Sequence, residues 1–281
     1  MSKYETYETA WCPGCGNFGI LNALRTSLEE LEKDPHQVLI AAGIGQAAKT
    51  PQYINTNSFC GLHGRSVPAA VAAKIANEDL TVIINTGDGD SYGEGGNHFI
   101  HNIRRNVDIT HLVHDNQIYG LTTGQASPTT AQGHVTPTQV DGNRNEPLNP
   151  LLLALVSGAG FVARSYSADK DHLVSIMKQA IEYPGYALVD IFQPCVSFNK
   201  VNTYEYYQER IYHLGDDYDS SNKMKAFEKA MEEGDSLPIG VIYREVKPTF
   251  HEKHAILSKG RPLLDIKTDP QVLNKLINEF I

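Results

Sequence analysis

The sequence lacks any apolar run of the length, about 18 residues, that a membrane-spanning helix requires. It also lacks an excess of basic residues, since 24 lysines and arginines are outnumbered by 33 aspartates and glutamates. Residues 1–10 are polar and contain no hydrophobic segment typical of a signal peptide. These absences argue against a membrane span and against nucleic acid as a partner, and we expect the chain to be cytoplasmic.

Cysteine is scarce, with four residues in a chain of 281. Four cysteines do not make a disulfide framework at this length. Cys12 and Cys15 form a Cys-x-x-Cys pair, and the absence of a second such pair excludes a four-cysteine zinc ribbon. In a reducing compartment the pair indicates metal binding or redox chemistry, and two buried thiols beside a turn are the ordinary alternative.

Short apolar runs alternate with amphipathic segments over residues 1–200, which predicts an α/β domain with a mostly parallel sheet and helices on both faces. We expect strands at 38–42, 80–84, 109–113, 161–163 and 187–192, and helices at 20–31, 68–77, 92–105, 151–156 and 173–181. Residues 201–281 lose this rhythm. They are assigned to a C-terminal arm, with one helix and one short strand, that packs on the domain or on a partner.

Gly87-Asp88-Gly89-Asp90 follows one predicted strand, and Asp115-Asn116 follows the next. A right-handed crossover between the strands brings Asp88 and Asn116 to the same sheet edge. Carboxylate and carboxamide oxygens suit Mg²⁺, and a glycine without a Cβ lets a diphosphate approach the backbone. The pattern predicts a Mg²⁺-bridged diphosphate; a tight turn followed by an ordinary asparagine is the alternative.

A polar stretch at residues 126–147, rich in Thr, Gln, Gly and Pro, has no clear periodicity. A loop of this length inside a compact domain is usually functional or disordered. Because it comes soon after Asn116, we expect it to cover the site.

These motifs together resemble the β subunits of the 2-oxoacid:ferredoxin oxidoreductases, and the likeness extends from Trp11 to about Tyr204. The segments that carry it are Trp-Cys-Pro-Gly-Cys-Gly at 11–16, Gly-Ile-Gly at 43–45, His-Gly-Arg at 63–65, Gly-Asp-Gly-Asp at 87–90, Asp-Asn-Gln-Ile-Tyr-Gly-Leu-Thr at 115–122 and Gln-Pro-Cys at 193–195.

The resemblance implies the thiamine-diphosphate-binding fold and a CoA-dependent oxidative decarboxylation of a 2-oxoacid to acyl-CoA and CO₂. Electrons would pass through a [4Fe–4S] cluster to ferredoxin. The partner α subunit would supply the carboxylate that activates the aminopyrimidine, so we expect this chain to be inactive alone.

The resemblance also implies roles for particular residues. Asp88 and Asn116 would bind Mg²⁺ by side chain and Ile118 by its carbonyl. The cofactor would lie against Ile44, Gly45, Gln46, Ala47, His63, Gly89, Asp90, Gly120 and Leu121.

The candidate catalytic set implied by the resemblance is Lys49, His63 and Leu121. Lys49 matches a family lysine near the substrate carboxylate, and Leu121 stands where the family's pocket shapes substrate choice. Thr123 departs from the family, because many members have lysine there. Its loss of positive charge weakens any inference to the dicarboxylic 2-oxoglutarate.

The cluster cysteines are incomplete. Cys12, Cys15 and Cys195 match three of the family's four, and Gln46 stands at the fourth position. Iron–sulfur clusters are normally held by four thiolates, and a carboxamide is a poor replacement. A three-cysteine cluster is the favoured interpretation; rescue by Cys60 and the absence of a cluster are the others.

Two alternative functions remain open on the sequence. One is a clusterless thiamine-diphosphate decarboxylase or synthase subunit. The other is a non-catalytic protein that uses its cysteines to bind zinc or to sense redox state.

Overall fold

A computed structural model describes residues 3–267 and 269–280. Its centre is an eight-stranded sheet in the order β2-β1-β3-β4-β6-β5-β8-β7. The strands are β1 (Val38–Ala42), β2 (Asn57–Cys60), β3 (Thr81–Gly87), β4 (Ile109–Asp115), β5 (Phe161–Tyr166), β6 (Tyr186–Phe192), β7 (Ile211–His213) and β8 (Leu237–Arg244). The first six strands pair in parallel, and β8 runs antiparallel to β5. The expected α/β fold with a mostly parallel sheet is confirmed.

Helices cover both faces of the sheet. They are α1 (Asn17–Glu30), α2 (Ser66–Ala76), α3 (Gly96–Arg105), α4 (Pro150–Val156), α5 (Lys170–Ile181), α6 (Tyr204–Arg210), α7 (Lys223–Ala230) and α8 (Pro270–Asn278). Consecutive strand residues point to opposite faces: Leu112 packs in the core with α1 and α5, whereas Val113 packs with α3, α4 and α7. This two-sided burial explains why the central strands read as continuous apolar runs. Among the described residues, no helix is both long enough and apolar enough to cross a membrane.

The helix expected at 92–105 begins later than predicted. Residues Gly89–Glu94 form a π-helical turn, and α3 starts at Gly96. The backbone of Gly64 lies so close that a Cβ there would come within 2.3 Å of the Glu94 carbonyl carbon. The glycine-rich turn is therefore shaped by a neighbouring loop that local periodicity does not reveal.

The sheet continues into the segment that the sequence analysis assigned to an arm. β8 pairs with β5, and β7 pairs with β8, so residues up to Arg244 contribute to the main sheet. β8 carries Pro238 and Gly240, which weaken the sequence signal of a strand. Beyond Arg244 the described residues form short turns and α8, and no strand.

The strand order positions the functional loops. Since β1, β3, β4 and β6 are parallel neighbours, the residues that follow them meet at one edge. These residues are Gly43, Asp88, Asn116 and Gln193. Four segments separated by up to about 150 positions in the chain thus become adjacent in space.

Candidate active site

A cleft with an empty volume of about 490 Å³ opens at this edge. All the residues predicted to contact the cofactor or Mg²⁺ line it, namely Ile44, Gly45, Gln46, Ala47, His63, Asp88, Gly89, Asp90, Asn116, Ile118, Gly120 and Leu121. Glu94, Tyr119 and Thr122 also line it and were not predicted. The structure brings these candidates together, and their individual roles stay predictions.

Of the predicted catalytic residues, Lys49 is the one that does not line the cleft. It lies in a 3₁₀ turn, Ala47–Gln52, directly after the loop that follows β1. Its side chain is partly exposed, and its assignment to the substrate carboxylate stays a prediction.

Asp88 follows β3 and is 1% exposed. Its Oδ2 accepts hydrogen bonds from Ser127 Oγ (2.5 Å) and Thr129 Oγ1 (2.7 Å). Burial raises the pKa of Asp88 to about 6, and the two hydroxyl donors oppose that rise. The carboxylate is thus oriented by two hydroxyls from the loop at 126–147.

The same loop does not cover the cleft as expected. The residues that line the cleft reach only to Thr122, whereas Thr129 and Pro147 line a separate cavity beside β4 and β6. The loop is fixed to the turn after β4, because Thr130 Oγ1 donates to the carbonyl of Gln117 at 2.6 Å. The loop contacts the site through Asp88 and lines no part of the cleft, so the expectation of a covering loop is wrong for this chain.

Thr129 joins two buried carboxyl groups. Its Oγ1 lies 2.7 Å from Asp88 Oδ2 and 2.8 Å from Asp115 Oδ1. A hydroxyl has one proton to donate, so both contacts are hydrogen bonds only when one carboxyl is protonated. Burial, reinforced by the charges of Asp190 and Asp88, raises the pKa of Asp115 well above its usual range. The raised pKa of Asp115 favours Asp115 as the carboxyl that holds the proton in this pair.

Asn116 follows β4, and its side chain has a fixed orientation. Its Oδ1 accepts from the backbone N–H of Ile118 at 3.0 Å, and its Nδ2 donates to Gln193 Oε1 at 2.9 Å. Between them, Gln117 has a positive φ of 58°, a conformation that few residues other than glycine and asparagine adopt. This tight turn brings Asn116 and Ile118 to the same wall of the cleft.

Asp90 holds three loops together. Its Oδ1 accepts from the backbone N–H groups of Ile44 (3.0 Å) and Gly64 (2.8 Å). Its Oδ2 is buried and has no hydrogen-bond partner within the described residues. Burial raises the pKa of Asp90, while the two backbone donors lower it. The second Asp of the Gly-Asp-Gly-Asp motif thus fixes the cleft rim.

Glycine is required at two points of the cleft. A Cβ on Gly89 would lie 2.3 Å from the ring of Tyr119, so no side chain fits there. Gly45 has a φ of +138°, and a Cβ there would meet nothing within 4 Å. The backbone at Gly45 therefore faces open space, as close approach of a phosphate group requires.

A second cavity, with an empty volume of about 360 Å³, adjoins the cleft. Three of the four cysteines, Cys12, Cys15 and Cys195, line it. Gln46 lines both cavities, and its buried Oε1 has no hydrogen-bond partner among the described residues. The structure thus brings together the residues that the sequence analysis assigned to the cluster.

The thiols form a wall of this cavity and do not converge on a point. Within residues 3–267 and 269–280, no group of three or more His, Cys, Asp or Glu side chains could hold one metal ion. Burial raises the pKa of the Cys15 thiol to about 11. Cys60 is exposed at the end of β2 and does not line the cavity, so rescue by Cys60 has no support in this geometry.

Sequence reasoning missed three side chains that organise the site: Ser127, Thr129 and Gln193. Ser127 and Thr129 lie in a stretch whose composition predicts only a loop. Gln193 belongs to the Gln-Pro-Cys segment, in which the resemblance implies a role for Cys195 alone. Its position directly after a buried strand is the signal that could have pointed to it.

Comparison with known proteins decides the family. Residues 36–191 match the family described as thiamine pyrophosphate enzyme, C-terminal TPP binding domain. Residues 195–259 match a second family, the C-terminal region of the beta subunit of pyruvate ferredoxin oxidoreductase. The 2-oxoacid:ferredoxin oxidoreductase 1 subunit beta of Aeropyrum pernix is 43% identical, over 96% of this chain and 88% of that protein. The chain belongs to the β subunits of the 2-oxoacid:ferredoxin oxidoreductases.

Two further relatives agree. The 2-oxoacid:ferredoxin oxidoreductase subunit beta of Saccharolobus solfataricus is 44% identical, over 91% of this chain and 88% of its own. A solved 2-oxoglutarate:ferredoxin oxidoreductase from Magnetococcus marinus, with 2-oxoglutarate, coenzyme A and succinyl-CoA bound, superposes with a TM-score of 0.91. It is 35% identical, and the match covers 98% of this β subunit and 96% of that chain.

The resemblance drawn from the motifs, the thiamine-diphosphate-binding fold and the assignment as an oxidoreductase subunit are confirmed. A β subunit implies an α subunit as its partner. The hypothesis of a non-catalytic zinc or redox-sensing protein is set aside, because the relatives over nearly the whole chain are oxidoreductase subunits.

Proposed function

We propose that this β subunit binds thiamine diphosphate through Mg²⁺ in the cleft and passes electrons from a 2-oxoacid through an iron–sulfur cluster to ferredoxin. The observation that carries the proposal is the meeting of two cavities at Gln46. One is lined by Asp88 and Asn116, and the other by three cysteines.

Mg²⁺ fits the oxygen donors at the ends of β3 and β4. Asp88 supplies a carboxylate whose Oδ2 is fixed by two hydroxyls, and Asn116 supplies an oriented carboxamide oxygen. The Ile118 carbonyl is assigned as the third protein ligand by resemblance. Hard oxygen donors with little freedom suit the octahedral demands of Mg²⁺.

The cradle for the diphosphate is the loop that follows β1, where the backbone at Gly45 faces open space. His63 and Gly89 line the same cleft, as do Gly120 and Leu121. Thiamine diphosphate, when bound, supplies the nucleophilic carbon and the electron sink for decarboxylation. The chain's own residues bind and orient it.

Three side chains are proposed to act on the substrate. Leu121, which is exposed at the cleft, shapes the space for the 2-oxoacid side chain. His63 lies at the cleft with an exposed imidazole, and Lys49 is assigned to the substrate carboxylate by resemblance. Coenzyme A is proposed as the acyl acceptor because the Magnetococcus marinus enzyme was solved with coenzyme A and succinyl-CoA bound.

Cys12, Cys15 and Cys195 are proposed to hold the cluster. An iron–sulfur cluster, when bound, would accept electrons one at a time and pass them on. The buried Oε1 of Gln46 has no hydrogen-bond partner among the described residues, and by resemblance the family's fourth thiolate would stand at this position. We favour a cluster held by three thiolates.

The decisive experiment is coexpression with the α subunit and purification without oxygen, followed by assays for iron, acid-labile sulfide and thiamine diphosphate. We expect all three to be present, with CoA-dependent reduction of ferredoxin by a 2-oxoacid. Bound thiamine diphosphate without iron would remove the cluster from the proposal. Failure to bind thiamine diphosphate with Mg²⁺ would overturn it entirely.

A clusterless decarboxylase or synthase subunit is the second candidate, and Gln46 in place of a thiolate is the observation that favours it. It predicts release of CO₂ from the 2-oxoacid by the αβ complex without reduction of ferredoxin. CoA-dependent ferredoxin reduction would exclude it.

A further inference from the structure

We propose that Gln193 is a positioning residue that couples the Mg²⁺–diphosphate site to the cysteine site. The inference rests on the proposed function, because it assumes that Asn116 and Cys15 are ligands of the metal and of the cluster. Gln193 is assigned as a ligand of neither group, and it lines the cysteine cavity. Its side chain is 1% exposed and connects Asn116 on one side with Cys15 on the other.

The orientation of this chain of contacts begins at the backbone. The N–H of Ile118 donates to Asn116 Oδ1 at 3.0 Å, so Asn116 Nδ2 must face away from that bond. Asn116 Nδ2 then donates to Gln193 Oε1 at 2.9 Å. A reversed amide at either residue would place two donors or two acceptors face to face.

The other end of Gln193 is fixed by the backbone as well. Gln193 Nε2 donates to the carbonyl of Pro194 at 2.7 Å and approaches Cys15 Sγ at 3.5 Å. The Pro194 carbonyl also accepts from the N–H of Gly16 at 3.2 Å. The carboxamide therefore presents a donor to the sulfur of Cys15 and an acceptor to Asn116.

Space for this side chain is created by Gly16. A Cβ on Gly16 would lie 2.9 Å from Gln193 Cγ and 3.2 Å from its Nε2. The φ of Gly16 is −60°, an ordinary value for any residue, so glycine is needed here for room and not for conformation. The Cys-Gly pair at the start of α1 thus accommodates Gln193.

This geometry has a functional consequence. Partners that hold a metal ligand in place typically contribute 10–100-fold, by order of magnitude, to metal affinity. Hydrogen bonds to the sulfurs are among the features that set the potential of an iron–sulfur cluster. One buried carboxamide therefore affects cofactor affinity through Asn116 and the electron acceptor through Cys15.

The test uses the αβ holoenzyme with three variants of the β subunit. Gln193→Met removes the hydrogen-bond donor and the acceptor but keeps a side chain of similar length. Gln193→Glu keeps oxygen acceptors for Asn116 but removes the donor and adds a negative charge. Gln208→Glu adds the same charge on the exposed surface of α6 as a control. The readouts are the Kd of thiamine diphosphate at fixed Mg²⁺ and the midpoint potential of the cluster, followed by electron paramagnetic resonance.

Gln193→Met is expected to raise the Kd by about tenfold and to lower the midpoint potential. Gln193→Glu is expected to keep the Kd within about threefold of wild type and to lower the potential by about 59 mV, a tenfold change in a one-electron equilibrium. Gln208→Glu should change neither.

Equal loss of affinity in the Met and Glu variants would overturn the proposal, since it would show a packing role only. An unchanged midpoint potential in both Gln193 variants would also overturn the proposal. Should these variants fail to fold, Gly16→Ala, which displaces Gln193 by contact, is expected to weaken cofactor binding and lower the potential in the same direction. If the wild-type enzyme contains no iron, both the role of Gln193 at Cys15 and the assignment of the cluster are overturned. The Kd values of the variants would still decide whether Gln193 positions Asn116.

Discussion

The indole Nε1 of Trp11 donates a hydrogen bond to the backbone carbonyl of Gln46 at 2.8 Å. This bond joins the Cys-x-x-Cys segment to the loop after β1 across 35 positions of sequence. Trp11 is itself held edge-on between Phe18 and Tyr53. The residue at position 46 is thereby placed between the cleft and the cysteine cavity, which makes it the natural target for a first substitution.

Gln46→Cys is expected to raise the iron content per αβ pair and to slow the loss of the cluster in air. The reason is that a fourth thiolate would stand where a buried carboxamide oxygen has no hydrogen-bond partner in the part of the chain that the structure describes. Iron, sulfide and the decay of visible absorbance after exposure to oxygen measure the effect.

Cys60→Ser is the matched cysteine control, since Cys60 is exposed at the end of β2 and outside the cavity. We expect it to leave iron content unchanged. A fall in iron content in Cys60→Ser, with no gain in Gln46→Cys, would place the fourth ligand at Cys60.

Asp88→Ala is expected to abolish the rise in melting temperature that Mg²⁺ with thiamine diphosphate gives to the wild-type enzyme. A ligand that binds the folded state raises its stability by mass action, and the substitution removes the charged oxygen donor. Scanning calorimetry with and without the ligands measures this.

The control is Asp141→Ala, because Asp141 is an exposed aspartate on the loop at 126–147. It should keep the full ligand-dependent rise. An undiminished rise in Asp88→Ala would remove Asp88 as a metal ligand.

Thr129→Val is expected to lower the free energy of unfolding by about 1–3 kcal/mol, because a buried carboxylate loses a donor. We also expect thiamine diphosphate to bind about tenfold more weakly, since Asp88 is less firmly oriented. Urea unfolding and cofactor titration measure the two effects. Thr138→Val, an exposed threonine on the same loop, is the control and should change neither. Wild-type cofactor affinity in Thr129→Val would show that Ser127 alone fixes Asp88.

His111 predicts a pH dependence of stability. Burial lowers its pKa from 6.5 to about 3, so the folded chain keeps it neutral while the unfolded chain binds a proton below about pH 6.5. The unfolded state then holds more protons, and stability rises with pH in this window. Relative to His111→Gln, the wild-type chain should lose about 1.4 kcal/mol per pH unit between pH 6 and pH 4.

Urea unfolding of the wild-type chain and of His111→Gln at each pH gives the difference in their free energies of unfolding. Groups that titrate alike in the two chains cancel from this difference. A difference independent of pH would show that His111 is protonated in the folded chain. Its three neighbours, the hydroxyls of Thr86, Ser91 and Tyr186, each donate or accept, so they accommodate a neutral imidazole.

Local patterns were enough to predict the architecture around β1, β3, β4 and β6. Apolar runs buried on both faces gave the strands, and the turns after them gave the position of Asp88 and Asn116 at one edge. They predicted the short strand that the structure shows as β8, but not its place in the main sheet, and they did not predict the π-helical turn at Gly89–Glu94.

The sequence by itself determined the approximate positions of the central strands, the spacing of the Gly-Asp-Gly and Asn motifs and the absence of a cysteine at position 46, because each depends on neighbouring residues or on identity alone. Only the tertiary structure decided that Gln193 lies between Asn116 and Cys15, and that Ser127 and Thr129 hold Asp88. Gln193 and Cys15 are 178 positions apart. Hydrogen bonds over such separations form where the folded sheet brings strand ends together, and no periodicity in the chain encodes them.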